Sequence, residues 1–351
     1  MTDAYDSKPA PGHRRSYHGN AHPQKLSRLV KDLSLTCSQD VSHISVTDVS
    51  GIEDARAGCV IYIASEGFLP SQPLPEGVIC LTTSQIAEQH AGLIRRAIPV
   101  ICENPRRCFA QIARRIYPEA VSDEAVHKTA VISATAQIDP SAQIGPFAVI
   151  GDYAIIGAGT VIGAGAEIGP YVTLGTECRI AGGVRLFCAE LGSHIRIAEN
   201  SVIGKRGFGF EGQGSDVEII PHLGGVVIGS HVDIGACCTI DRGVMGNTVI
   251  SDQVMIDNQC HIAHNVQIGQ GSIIAGQCGV AGSTEIGRNC LFGGKVGVSD
   301  HVSICDGVII LGNSAVTKSL DQPGFYVGFP AMPAREFWKQ QAILRKMVKG
   351  K

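Results

Sequence analysis

An aliphatic or aromatic residue returns at every sixth position in three runs between residues 132 and 316. The first run covers residues 132–186, a second covers 228–240, and a third resumes after a change of phase and covers 250–316. Helices repeat every 3.6 residues and strands every two, so neither element explains a period of six. The pattern predicts a mainly β fold, a left-handed parallel β-helix built from hexapeptide repeats.

The period also predicts which residues are neighbours in space. Each hexad forms a short strand and a turn, and three hexads close one triangular coil, so residues 18 apart stack in adjacent coils. The sixth residue points inward, and the residue two positions earlier is small, as at Ala136, Ala148 and Thr160. We therefore expect narrow corners that admit only small side chains. Glycine often follows the inward residue, as at Gly145 and Gly151, and we expect a positive φ there.

The residues before the repeats predict a separate domain, since they show no hexad period. The segments 60–63, 78–81 and 97–101 are apolar and are predicted strands, while Leu26–Leu33, 83–91 and 105–117 are predicted helices. The organisation predicted for the chain is a disordered polar tail at 1–24, a nucleotide (uridine)-binding α/β domain at 25–122, a β-helix at 123–322 with an extruded loop at 205–225, and a C-terminal extension with a helix at 323–351.

Composition narrows the range of partners. The net charge of -3 does not indicate attraction to nucleic acid, and no apolar run is long enough to span a membrane. The 13 cysteines are odd in number and form no CxxC motif, which argues against a disulfide framework. We interpret the cysteines at hexad corners as small apolar fillers of a cytoplasmic protein, with a catalytic cysteine as the alternative. These corner cysteines are Cys178, Cys238, Cys260, Cys278 and Cys290.

The C-terminal segment has helical periodicity and a basic charge. Phe337, Leu344 and Val348 fall on one face, and residues 335–351 include six Lys or Arg and one acid, Glu336. This helix either caps the last coil and protects its edge or docks an acidic partner.

The strongest candidate for chemistry is the segment 257–266, which places two histidines, an aspartate and two asparagines in otherwise plain repeats. His264 lies two residues after an inward isoleucine, at a turn, where a neutral imidazole can serve as a general base. One coil further along is Gly282, whose backbone N–H can approach a reacting carbonyl as an oxyanion donor. The alternative for His264 is a purely structural turn residue.

A zinc site is a second possibility for the same segment. His261 and His264, together with His301, could supply three imidazoles as in β-helical carbonic anhydrases. The two nearer histidines flank an inward isoleucine unequally and should diverge. We therefore predict no metal.

Several strings in this region resemble one family. Gly207-Phe208-Gly209-Phe210, Thr239-Ile240-Asp241-Arg242-Gly243, Asp257-Asn258-Gln259 and Ile262-Ala263-His264-Asn265 occur in this order. Over residues 25–340 the chain resembles the UDP-3-O-(3-hydroxyacyl)glucosamine N-acyltransferases of bacterial lipid A synthesis, which are hexapeptide-repeat acyltransferases. The resemblance implies a homotrimer with each active site between adjacent β-helices. It also implies a donor that carries a 3-hydroxyacyl thioester on the phosphopantetheine of an acyl carrier protein, and the 2-amine of a UDP-sugar as acceptor, with no bound cofactor.

The resemblance also implies roles for particular residues. His264 matches the general base, Gly282 the oxyanion donor, and Asp257 a carboxylate that orients the base. His301 matches a second active-site histidine that positions substrate. The remaining predicted substrate-binding residues are Asn258 and Asn265 within the matching strings, and Tyr62 and Phe68 as a uridine-binding aromatic pair.

Three other functions remain open from the residues. An O-acyltransferase of the same pathway, acting on UDP-N-acetylglucosamine, explains the repeats and the histidine but not the domain at 25–122. A small-molecule acetyltransferase would use acetyl-CoA without a carrier protein. A noncatalytic β-helix scaffold would bind a nucleotide sugar and form no product.

Overall fold

The computed structural model describes residues 21–118 and 124–349. The chain divides into two compact units, residues 1–121 and 122–351, and each is described by itself. Most of the predicted tail, residues 1–20, lies outside the described residues. At its end, Gln24 already pairs with Val46 in a small antiparallel ladder.

The first unit is an α/β fold around a four-stranded parallel sheet. The strands lie in chain order, so consecutive strands are neighbours. Buried aliphatic residues such as Ile61, Ile79 and Leu81 fill the layers on both sides of the sheet, as expected for a parallel sheet. The predicted strands and helices are confirmed, and the structure adds an edge strand to the sheet, a small two-stranded ladder and one short helix. The sheet strands are Asp48–Val49, Cys59–Ile63, Ile79–Thr82 and Ile98–Ile101; the small ladder is Gln24–Lys25 with Ser45–Val46; the α-helices are Leu26–Asp32, Ser84–Gln89, Ala91–Ile94 and Pro105–Ile116; and short 3-10 turns are Ile52–Asp54 and Glu66–Phe68.

The second unit is the predicted parallel β-helix, with three long sheets as its faces. Residues 18 apart pair across adjacent coils wherever the period is unbroken, as Ile262 pairs with Val280. Face one contains Val131–Ile132, Val149–Ile150, Glu167–Ile168, Arg185–Leu186, Val202–Arg206, Thr239–Arg242, His261–Ile262, Gly279–Val280, Gly297–Val298 and Ala315–Val316. Face two contains Gln137–Ile138, Ile155–Ile156, Thr173–Leu174, Ala189–Leu191, Val226–Ile228, Thr248–Ile250, Gln267–Ile268, Glu285–Ile286 and Ser303–Ile304. Face three contains Gln143–Ile144, Val161–Ile162, Arg179–Ile180, Arg196–Ile197, Asp233–Ile234, Met255–Ile256, Ile273–Ile274, Leu291–Phe292, Val308–Ile310, Gly324–Val327 and Met332–Pro333.

The glycines after the inward residues serve close stacking of the coils, and the expectation of a positive φ there is wrong. A Cβ built on Gly157 would lie 2.4 Å from the carbonyl oxygen of Gly175 in the next coil. The left-handed residue of each turn is instead the third after the inward one, and it is often not glycine, as at Tyr153 and Asn265. Glycine is needed after the inward residue because neighbouring backbones meet there.

The corner positions are less restrictive than predicted. Ala148 and Ala154 are fully buried, but Val172, Val184 and Val254 occupy the same position and are also fully buried. The prism therefore accepts a β-branched side chain at its corners. The five corner cysteines are buried and unpaired, as expected for fillers. Burial raises the pKa of the Cys178 and Cys290 thiols, which keeps them protonated and unreactive.

Two insertions interrupt the period at one corner. The first insertion follows the strand Val202–Arg206, whose last residues overlap the predicted loop 205–225. This insertion contains a short hairpin of Phe210–Glu211 with Glu218–Ile219. The second, residues 243–247, lengthens one coil, so that Ile240 pairs with Ile262 at a separation of 22 residues.

The C-terminal helix spans Ala334–Lys349. It contacts the last strands near its start, where the ring of Phe337 lies against Gly328. Further along the helix, Leu344 and Val348 are exposed, the latter to 77%. The start of the helix thus covers the last strands, while the rest of its apolar side is uncovered, and both the cap and the docking surface stay predictions.

Candidate active site

A cavity of about 640 Å³ lies on face one, beside the two insertions. Its floor is made of outward residues from stacked strands, and these become small along the stack: His261 is followed by Gly279, Gly297 and Ala315. Two exposed aromatic rings, Phe208 and Phe329, complete the wall. The full lining is Phe208, Asp241, His261, Ala263, His264, Gly279, Val280, Ala281, Gly282, Gly297, Val298, Ser299, Ala315, Thr317 and Phe329.

The cavity brings His264 and Gly282 together, as the 18-residue stacking predicts. A Cβ on Gly282 would lie 2.6 Å from Cε1 and 2.8 Å from Nε2 of His264. The imidazole ring therefore rests on this glycine, and only glycine leaves room for it. Within the described part of the chain, the Gly282 N–H has no hydrogen-bond acceptor, so it can receive one from a ligand.

The protonation pattern of His264 follows from its neighbour. The amide of Val244 donates to Oδ1 of Asn265 at 2.9 Å, which fixes that atom as the oxygen, because a backbone N–H only donates. Nδ1 of His264 lies 3.2 Å from the same oxygen and must therefore carry the hydrogen. The lone pair of the neutral ring is left on Nε2, the nitrogen nearer to Gly282.

Asn265 is itself held by the repeat. Its φ of 60° is left-handed, a conformation that asparagine tolerates better than most residues. Its N–H donates to Oγ1 of Thr248 at 2.8 Å, and that hydroxyl donates to the Asp241 carbonyl at 2.7 Å. Thr248 is fully buried. The base is thus anchored through Asn265 to the two neighbouring strands.

A buried carboxylate lines the same cavity as the base. Asp241 is 1% exposed, and Oδ1 lies 2.5 Å from Nζ of Lys205. Oδ2 lies 3.8 Å from Nε2 of His261, whose Nδ1 is 2.7 Å from the Thr239 hydroxyl. Asp241 and His261 line the cavity together with His264, so this part of its wall is polar.

Asp257 and Asn258 lie at a different turn from His264. The carboxylate of Asp257 accepts from the amides of Asn258 and Gly276, at 2.7 Å and 3.0 Å. Oδ1 of Asn258 accepts from the Ala236 amide at 2.7 Å. Within this chain both side chains link adjacent coils by hydrogen bonds. The group in contact with Nδ1 of His264 is Asn265.

His301 is exposed at a turn one coil beyond Gly282, and its N–H donates to the Gly282 carbonyl at 3.1 Å. It does not line the cavity within this chain. His261 and His264 both do, yet across residues 21–118 and 124–349 no three His, Cys, Asp or Glu side chains are arranged to hold a metal ion. The zinc alternative therefore has no structural support.

Tyr62 and Phe68 line one cavity of about 360 Å³ in the first unit, together with Ser50 and Gly51 at the end of the first sheet strand. Tyr62 packs against Phe109 at 5.0 Å between ring centroids, while Phe68 is exposed. The two rings predicted to bind uridine thus share a site at the carboxyl ends of parallel strands, where ligands bind in α/β folds.

The sequence reasoning did not single out Asp241, Lys205 or His222, although all three lie around the site. Asp241 belonged to a matching string, so its position was visible but its burial was not. His222 lies in the extruded loop, where no period predicts its neighbours.

Models of hexapeptide-repeat proteins match the second unit. The family "Bacterial transferase hexapeptide (six repeats)" matches residues 129–164 and 247–282, and "Hexapeptide repeat of succinyl-transferase" matches 153–188 and 284–318. These matches agree with the left-handed β-helix and with the strands above.

Similar whole proteins share one activity. The chain is 36% identical over 325 residues to the UDP-3-O-acylglucosamine N-acyltransferase of Pseudomonas syringae pv. syringae, which covers 92% of this chain and 91% of the relative. The chain belongs to the UDP-3-O-acylglucosamine N-acyltransferase family. The enzyme of the same name from Pseudoalteromonas translucida is 51% identical over 163 residues, 46% of this chain and 48% of the relative. A UDP-N-acetylglucosamine acyltransferase structure from Campylobacter jejuni is 27% identical, covers 59% of this chain and 72% of its own, and has a TM-score of 0.44.

Membership makes this chain an acyltransferase of lipid A synthesis. The noncatalytic scaffold is thereby set aside. None of the described helices is both long and apolar enough to cross a membrane. An acyl transfer needs a base, an oxyanion donor and an apolar surface in one place. The cavity on face one is therefore the candidate active site.

Proposed function

We propose that the chain transfers a 3-hydroxyacyl group from acyl carrier protein to the 2-amine of UDP-3-O-(3-hydroxyacyl)glucosamine. The observation that carries this proposal is the arrangement of His264. Its Nδ1–H is fixed by Asn265, its Nε2 is basic, and the unpaired N–H of Gly282 lies beneath the ring. An amine nucleophile needs such a base, and a thioester carbonyl needs such a donor.

The proposed reaction proceeds in two steps. The neutral amine attacks the thioester carbon and loses a proton to Nε2 of His264, while the Gly282 N–H donates to the developing oxyanion. Collapse of the intermediate then breaks the C–S bond, and the sulfur of phosphopantetheine leaves as a thiol with the proton from the His264 imidazolium. The products are the N-acylated sugar and free carrier protein. Because a thioester is already activated, this scheme uses no metal and no bound cofactor.

The apolar part of the cavity supports an acyl substrate. Gly279, Gly297 and Ala315 leave a shallow path along face one, away from His264. Phe208 and Phe329 are 80% and 84% exposed at its rim, where an acyl chain would cover them. Burial of such surface contributes roughly 25 cal/mol for each Å².

The proposed acceptor and donor contacts use the rest of the chain. Tyr62 and Phe68 would stack on uracil, and Asn258, Asn265 and His301 stay predicted substrate-binding residues. The basic C-terminal helix, with its uncovered Leu344 and Val348, would meet the acidic carrier protein. We also propose a homotrimer, in which residues exposed here, such as His301 and Asp257, face a neighbouring subunit, and a cytoplasmic location.

The test is a mass-spectrometric assay with UDP-3-O-(3-hydroxyacyl)glucosamine and 3-hydroxyacyl carrier protein. We expect His264→Ala to lower kcat by about 10²–10⁴-fold, the range typical of a lost general base. The matched control is His231→Ala, an exposed histidine at another solenoid turn, which should keep wild-type turnover.

The donor is tested in the same assay with acetyl-CoA in place of the acylated carrier protein. N-acylated product from the carrier protein alone supports the proposal. Product from acetyl-CoA but not from the carrier would replace it with the acetyltransferase function. Full activity of His264→Ala would remove His264 as the base.

A further inference from the structure

His222 is a buried histidine that the proposed mechanism does not use. It belongs to the first insertion, between the hairpin and the strand Val226–Ile228, and its side chain is 0% exposed. A loop segment on the outside of a solenoid seldom buries a polar ring completely. The contacts of this ring therefore need an explanation.

The ring of His222 packs on the proposed base. Its centroid lies 5.2 Å from that of His264, with 75° between the ring planes, an edge-to-face arrangement. Aromatic pairs prefer this geometry at this separation. His264 is thus enclosed by Gly282 beneath, Asn265 at Nδ1, and His222 against the ring.

Two glycines of the first insertion make room for His222. A Cβ on Gly207 would lie 2.8 Å from Nε2 of His222, and a Cβ on Gly209 would lie 2.8 Å from its Cε1. Neither position requires glycine for its backbone conformation, since neither has a positive φ. The Gly-Phe-Gly-Phe string therefore places Phe208 at the cavity rim while it accommodates the His222 ring beneath.

The tautomer of His222 is also fixed. Its Nδ1 lies 3.1 Å from the Ile220 carbonyl, which can only accept, so Nδ1 carries the hydrogen. In the described structure its Nε2 is buried without a hydrogen-bond partner. The hydrogen bond at Nδ1 and the tight fit of the ring hold His222 at one angle against His264.

We propose that His222 is a positioning residue for His264, which fixes the orientation of the base through ring packing. This inference rests on the proposed function of His264. His222 is fully buried and does not line the cavity, so it acts through the base and does not touch substrate. The extruded loop thereby helps to hold the His264 ring in the orientation that the reaction needs.

The kinetic test compares His222→Ala with His222→Phe. We expect His222→Ala to lower kcat by about tenfold to a hundredfold, since small misplacements of a reacting group have effects of that size, with both KM values within about twofold. His222→Phe keeps an aromatic ring against His264 and should recover most of kcat. Full turnover in His222→Ala, or equal losses in both variants, would overturn the proposal.

A spectroscopic test does not depend on turnover. In the ¹³C-histidine-labelled protein, the Cε1–H signal of His264 is identified by its loss in His264→Ala. We expect that signal to shift in His222→Ala, because a neighbouring ring is removed, and to stay in place in His231→Ala. An unmoved signal would overturn the contact. A shifted signal in a protein without acyl transfer would keep the contact and count against the proposed function instead.

A substitution at Gly209 tests the same contact without changing His222 itself. Gly209→Ala would push a methyl group into the His222 ring without altering that ring, and we expect it to lower kcat in the same way as His222→Ala. The double variant should lose little more than either single one, because both act on one contact. Additive losses would show separate causes and overturn the shared route through His222.

Discussion

Two successive turns of one coil, 257–259 and 263–265, have similar residues, but the first holds coils together and the second holds the proposed base. Each follows an inward isoleucine, and each ends on a left-handed residue with φ of 60°, Gln259 or Asn265. In the first turn the oxygens of Asp257 and Asn258 accept only from backbone amides, that of Asn258 in the same turn and those of Ala236 and Gly276 in the neighbouring coils. In the second, Asn265 accepts from Val244 and also holds a histidine that lines a cavity.

The difference arises from what lies beside each turn. Both insertions, 207–225 and 243–247, leave the solenoid at the corner of the second turn. The first supplies Phe208 to the cavity wall and His222 against the His264 ring, and the second supplies the Val244 amide that donates to Asn265. Among the described residues, the hydrogen bonds of Asp257 and Asn258 are all made within the coils. The site forms where the repeat is interrupted, and the regular coils supply its floor.

After the loss of the base itself, the largest expected effect comes from filling the space under it. Gly282→Ala would place a methyl group within 3 Å of the His264 ring and beside the oxyanion donor. We expect kcat/KM to fall by about 10²–10³-fold, comparable to the loss of an oxyanion-hole donor. The measurement is steady-state turnover in the mass-spectrometric assay.

The matched control for that variant is Gly157→Ala, on a turn remote from the insertions in sequence. Its methyl group would meet the backbone of Gly175, so the thermal midpoint should fall while turnover per folded molecule stays at the wild-type value. If Gly282→Ala also lost only stability, Gly282 would belong with the stacking glycines, and the proposed oxyanion donor would have to be found elsewhere.

Periodicity predicted the parts of the molecule in which each residue's neighbour is fixed by the repeat. The pairing of Ile262 with Val280, and hence of His264 with Gly282, follows from counting 18 residues. The burial of Cys260 and Cys278 follows from the same register. Such contacts are predictable because every coil repeats one backbone geometry.

The contacts made by the insertions were not predictable in this way. His222 reaches His264 only because the chain leaves the solenoid after Arg206 and returns at Val226. The glycines at the turns were interpreted as conformational, whereas the structure shows steric contact between coils. Residue type indicated that Asp257 was polar and near His264 in sequence, but its hydrogen bonds depend on which corner it occupies.

A smaller effect is expected from releasing the hydrogen bond that orients the base. Asn265→Ala removes the acceptor for His264 Nδ1 and for the Val244 amide. We expect kcat to fall by about tenfold to a hundredfold, because the ring loses its tautomer preference and its fixed angle. Alanine is also less suited to φ of 60°, which costs about 1–2 kcal/mol of stability.

Asn265→Asp is the matched control for this change. Aspartate keeps an acceptor at both contacts and tolerates the left-handed conformation, so kcat should stay within a few-fold of wild type. Equal losses in the two variants would show that the amide group, and not the acceptor, is what the reaction needs. Assays at saturating substrate separate this effect from binding.

The smallest expected effect on turnover is at the first turn. Asp257→Ala leaves the amides of Asn258 and Gly276 without their acceptors. We expect a loss of about 1–2 kcal/mol in the free energy of unfolding, measured by denaturant titration, and kcat within about twofold of wild type. The reason is that, within one chain, both oxygens of Asp257 accept from backbone amides and Nδ1 of His264 contacts Asn265 instead.

This last variant decides between the two turns. The assay is run at a lower temperature, at which Asp257→Ala is fully folded. If Asp257 orients the base, as the family resemblance implies, kcat of this variant should still fall at least tenfold. Asp257→Asn helps to locate the cause, because it keeps one acceptor oxygen and removes the charge. A loss of turnover in both variants would require the charge of Asp257 at an active site shared between subunits. Wild-type turnover in both would leave Asn265 as the residue that holds His264.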